Sequence, residues 1–105
     1  MDNVYIVATS NFIETIPKDE QAIIYMVAQS KITPKTDFLV FDPLSNENHP
    51  VMEDQGRTMR LPMKTIPTKV YAKLDDYGSA ETLSEQVGHQ VKTQYALTLM
   101  LAEDY

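Results

Sequence analysis

The sequence predicts a single α+β domain over residues 1–105: a mostly antiparallel sheet of four or five strands, with one main helix (about 17–30) packed on one face. Three observations predict it. Apolar residues recur at helical spacing in one early stretch, short β-branched and aromatic runs recur elsewhere, and residues 87–101 alternate with period two. Short connections between strands favour antiparallel pairing, and a sheet with its helix on one face buries the apolar side of both.

Val4-Tyr-Ile-Val-Ala8 reads as the first strand. Ser10 and Asn11 then supply turn chemistry. Pro17 suits the first turn of the helix, Asp19 and Glu20 favour the positive end of its dipole, and Ile16, Ile23, Ile24 and Val27 make its apolar face. Thr33 before Pro34 is pushed toward extended geometry and closes it. Phe38-Leu-Val-Phe41 is a buried strand, and 44–54 is a polar surface loop in which the pairing of Val51 and Met52 stays open. Arg57 to Pro62 suits an exposed strand, and Lys69 to Leu74 another. Asp75 to Ser79 is a turn, Ser79 caps a short helix to about Val87, and Gly88 ends it in a left-handed conformation. In the last segment Val87, His89, Val91, Thr93, Tyr95, Leu97, Leu99 and Leu101 fall on odd positions, so a half-buried strand is expected over about 90–101, its other side facing water.

Composition narrows the chemistry. The chain has no cysteine, which excludes disulfides, thiolate catalysis and cysteine-ligated metals. It opens Met1-Asp-Asn3, with no basic stretch leading into an apolar run, so no signal peptide and a cytoplasmic location are expected. No apolar stretch approaches the ~20 residues that span a bilayer, so no membrane association is expected. The formal charge is −6, unevenly placed: Arg57, Arg60, Lys64, Lys69 and Lys73 fall in a stretch with no carboxylate, and all fifteen carboxylates lie outside it.

The opening Val7-Ala-Thr9, Ile13-Glu-Thr-Ile-Pro17 and Gln21, with the tail Thr98-Leu-Met-Leu-Ala-Glu-Asp-Tyr105, is similar to a family of short uncharacterised proteins of low-GC Gram-positive bacteria, catalogued as a domain of unknown function. The resemblance covers the two ends and leaves the middle, including Arg57 to Lys73, unmatched. It implies a bacterial cytoplasmic or mobile-element origin and carries over no catalytic residue.

No catalytic constellation emerges. His49 sits beside Pro50 in the polar loop, where a solvated imidazole is expected, and His89 falls on the apolar register of the last strand, where a packed one is. His49, Glu53 and Asp54 are close in sequence but match no zinc or calcium spacing. Asp75-Asp76 reads as turn formers. The three glycines form no phosphate-cradling loop. No catalytic residue, metal or cofactor is therefore expected.

The basic stretch is the remaining candidate. On a strand, Lys69, Tyr71 and Lys73 share one face, and with Arg57 and Arg60 they compose a surface for phosphates and base stacking. The competing reading pairs these cations with the chain's own carboxylates and uses the lysines to blunt a sheet edge. The expectation is a non-enzymatic interaction or regulatory domain acting through a protein partner, which touches the 57–73 region and the 44–54 loop. The alternatives are a nucleic-acid-binding module using Arg57, Arg60, Lys69, Tyr71 and Lys73, or an acidic protein that imitates a phosphate backbone. Oligomeric state is not legible.

Overall fold

The computed structural model describes residues 1–105. The first β-branched run forms β1 (Tyr5–Ala8). The expected turn at Ser10 and Asn11 is instead the start of a helix, α1 (Ser10–Thr15). Thr9 is the cause: its hydroxyl oxygen accepts the Phe12 amide at 3.2 Å, and Phe12 is buried beneath the new helix.

The main helix, α2 (Lys18–Lys31), follows Pro17 and carries Asp19 and Glu20 in its first turn and Lys31 in its last, so its charges complement the helix dipole. Gln21 ties the two helices together. Its side-chain amide donates to the carbonyls of Ile13 and Ile16 at 2.9 and 2.7 Å, groups that the end of a helix leaves without partners. The buried stripe of α2 is narrower than the sequence implies. Ile24 and Ala28 are buried, with Ile16 before the helix and Ile32 after it, but Ile23 is 48% exposed.

The remaining elements are β2 (Phe38–Asp42), β3 (Val51–Glu53), β4 (Thr58–Pro62), β5 (Val70–Asp76), α3 (Ala80–Val87) and β6 (Tyr95–Leu101). Val51 and Met52 do pair, as the edge strand β3. Ser79 accepts the Thr82 amide at 3.1 Å and Gly88 takes φ +83°, so α3 has the start and stop that its sequence predicts. No helix is long and apolar enough to cross a membrane.

The expectation of a mostly antiparallel sheet of four or five strands is corrected. There are six strands in the order β1-β6-β5-β2-β4-β3, and the sheet is mixed: β1 lies parallel to β6 and β2 parallel to β4. Two connections explain this. The α1–α2 segment carries the chain far enough from β1 for β6 and β5 to insert before β2. The hairpin of β3 onto β4 then returns the chain to the start of β2, where Phe38 faces Thr58.

One face of the sheet is the core. Leu39, Phe41, Val70, Ala72, Leu97, Leu99 and Leu101 join Phe12, Ile16, Ile24, Ala28 and Ile32 of the helical layer in a single buried cluster. The opposite face carries Phe38, Val40, Tyr71, Lys73, Thr98 and Met100, which pair across the strands. It is not wholly wet, since Val40, Ala96 and Met100 are buried too.

The last strand begins at Tyr95, not near 90. Before it, side chains replace the ladder: the Ser84 hydroxyl oxygen accepts the Val91 amide, and Thr93 accepts the Tyr95 amide while donating to the Asn3 carbonyl. His89 therefore lies in a loop, exposed, with a ring nitrogen 3.0 Å from the Tyr5 hydroxyl, and not on a strand's apolar register.

Candidate functional site

Chemically varied side chains gather on the sheet face opposite α1 and α2. Alternation along β5 sends Tyr71 and Lys73 to this face, and the antiparallel pairing with β2 sets Phe38 opposite Lys73. The turn after β6 (102–104) brings the Tyr105 ring over them. The three rings form a closed triangle, with centroids 4.9 Å apart for Phe38–Tyr71, 5.5 Å for Phe38–Tyr105 and 5.7 Å for Tyr71–Tyr105. The tilted and edge-to-face geometries are those that aromatic quadrupoles favour. Tyr105 is 71% exposed, while Phe38 and Tyr71 are half-buried.

The rings line a cleft of about 550 Å³. Its far wall is the turn between β3 and β4, where Asp54, Gln55 and Gly56 take φ of +50°, +56° and +86° in succession. Left-handed backbone is unfavourable for a residue with a Cβ, least so for Asp or Asn, and Gln55 has no such excuse. The turn is held by Thr36, whose hydroxyl donates to the Gly56 carbonyl, and by the Phe38 amide on the Arg57 carbonyl. It places Asp54 and Arg57 along the cleft.

Beside the cleft, β2, β3 and β4 each contribute one charge to a compact group. The Arg60 guanidinium donates to Asp42 at 2.7 Å and to both oxygens of Glu53 at 3.0 and 3.3 Å. The hydrogen bond to Glu53, opposed by burial and then joined by the bond to Asp42, holds the guanidinium above its usual value. Burial alone raises the Asp42 carboxyl. The Leu44 amide, the Arg60 hydrogen bond and charge, and the Lys69 charge outweigh burial and hold it below the usual carboxylate range.

The structure thus brings Arg57, Tyr71 and Lys73 to one cleft, sets Arg60 in the adjoining ion group, and leaves Lys69 near Asp42. The cations are largely answered from within the chain. Arg57 lies 3.8 Å from Asp37, Lys73 contacts Asp75, and Lys64 donates to the Ser45 carbonyl. Phe38 and Tyr105 were not legible as site residues. Phe38 sits in a run apolar on both faces, so alternation assigns it no side, and Tyr105 is distant in sequence from both other rings. Asp75 and Asp76 belong to β5; Asp76 accepts the Gly78 amide and so still organises the turn.

The histidines and loop carboxylates do not converge. His49 meets Glu47 at 3.4 Å while Glu53 faces Arg60, and no group of three or more His, Asp or Glu side chains is arranged to hold a metal. Neither histidine hydrogen-bonds a serine or threonine. Comparison with known proteins finds no matching family model, no matching curated protein and no matching solved structure.

Proposed function

We propose that this chain is a small non-enzymatic interaction domain that acts through a protein partner, bound on the sheet face around Phe38, Tyr71 and Tyr105. The aromatic triangle carries this reading. A cluster of Tyr and Phe with one ring largely exposed, rimmed by charges, has the composition of the anchor region of protein–protein interfaces.

A nucleic-acid-binding module is the second reading, favoured by the rings themselves, which offer a stacking platform next to Lys73 and Arg57. Its weakness is the self-pairing of the cations, since phosphate binding draws on uncompensated positive charge.

The test is capture with the tagged chain from a lysate of the producing cell, with and without nuclease, beside a Tyr71→Ala/Tyr105→Ala variant. A stoichiometric protein that survives nuclease and is lost with the variant is the expected result. Nucleic acid retained by the wild type, with no protein companion, would replace this reading with the second.

A further inference from the structure

We propose that the cleft receives a cationic side chain, foremost arginine, presented by a basic peptide segment of the partner; this rests on the interaction-domain reading above. Two independent features of the cleft point to a cation. The first is the floor. Tyr71, Phe38 and Tyr105 meet at tilted or edge-on angles of 57° to 84°, so no pair is stacked flat, and Tyr105, 71% exposed, keeps ring surface open at the cleft. A guanidinium within about 6 Å of such a ring is attracted by its quadrupole, and its flat shape suits stacking.

The second is the charge balance of the walls. Asp37, Asp54 and Asp75 line the cleft together with Arg57 and Lys73. Lys73 contacts Asp75, and Arg57 lies 3.8 Å from Asp37. Asp54 has no ion-pair partner among the chain's salt bridges. One negative charge is therefore left over at the cleft, in a protein of net charge −6. The successive left-handed residues of the 54–56 turn hold that carboxylate at the cleft rim. An anion entering here would meet the excess negative charge; a cation would meet its complement.

The probe is the acetylated, amidated tripeptide Gly-Arg-Gly, compared with Gly-Gln-Gly, Gly-Glu-Gly and inorganic phosphate, read by the ring resonances of Phe38, Tyr71 and Tyr105 at low salt. Saturable shifts with the arginine peptide alone, at a Kd near about 1 mM, are expected. Asp54→Asn should weaken that binding roughly threefold. Tyr71→Leu, which keeps apolar bulk and removes one π face, should weaken it at least roughly threefold; each variant is first checked for an unchanged amide spectrum. Equal shifts with the glutamine peptide, stronger binding of phosphate or the glutamate peptide, or no ring shift by about 10 mM would each overturn the proposal. The two readings separate cleanly. If the arginine peptide fails but partner capture is still lost with Tyr71→Ala/Tyr105→Ala, the interaction surface stands and the cationic occupant falls.

Discussion

At the scale of single residues, Arg60 is the best example of a charge that folding has used up. Its side chain is 28% exposed and that of Asp42 only 11%, and three of its nitrogens donate to two carboxylates. Removing one partner of such a group leaves the other poorly solvated, which costs more than the pair contributes when intact. Arg60→Ala is expected to lower stability by about 2 kcal/mol in urea unfolding. Arg60→Lys should recover only part of it, because an ammonium cannot bond Glu53 through two parallel donors. A loss below about 0.5 kcal/mol for the alanine variant would place the group with ordinary surface ion pairs. The residue types of this group were plain in the sequence. Its function was not, because the carboxylates that neutralise Arg60 come from β2 and β3, and nothing local says that those strands flank it.

At the scale of elements, α1 shows what a short helix needs. Six residues are far too few to hold a helix in water, where nucleation outweighs the few hydrogen bonds gained. It persists through the Thr9 cap, the burial of Phe12 and the Gln21 side-chain amide, which donates to two terminal carbonyls. Gln21→Ala is expected to cost about 1 kcal/mol, and its effect should be local. Hydrogen exchange at the Ile13 and Ile16 amides, which bond to Thr9 and Phe12, should quicken, while the amides of β5 and β6 keep their protection. Uniform acceleration across the sheet would show that α1 unfolds only with the whole molecule. Both termini of α3 were legible, since a serine cap and a left-handed glycine act within a few residues. The cap of α1 was just as local, but a threonine at the end of an apolar strand reads equally well as the beginning of a turn.

At the scale of the whole molecule, two carboxyls link folding to pH. Asp104 is held below its ordinary value by the side-chain hydrogen bonds from Asn11 and Thr9, against a small opposing effect of burial, and by the Leu101 amide. Asp42 is held low by the interactions described above. In the window between each folded value and the unfolded value near about 3.9, the unfolded chain binds more protons than the folded one, so stability rises with pH. The contribution is complete above the unfolded value and disappears as pH falls through the folded one. Urea midpoints taken between about pH 2 and 6 should therefore decline on the acid side, and less steeply in Asp42→Asn and in Asp104→Asn. An unchanged slope in both variants would assign the acid sensitivity to other carboxylates. Asp104 also links the end of the chain to its beginning, 95 and 93 residues away at Thr9 and Asn11, so its loss should loosen α1 and the Tyr105 ring together.

The sequence by itself determined what short-range physics controls. It determined where α2 and α3 run, that β2, β4 and β5 are extended, that Leu97, Leu99 and Leu101 point to one side, and that Tyr71 and Lys73 share a face. Caps, prolines, glycines and side-chain period act over a few residues and carry the same meaning in any fold. Tertiary structure alone decided the strand order, the two parallel pairs, the true start of β6 at Tyr95, the ion pairing of Arg57, Arg60 and Lys73, and the meeting of Phe38, Tyr71 and Tyr105. Each depends on which distant segments close into contact, and that choice is made by burying one shared core rather than by any local preference.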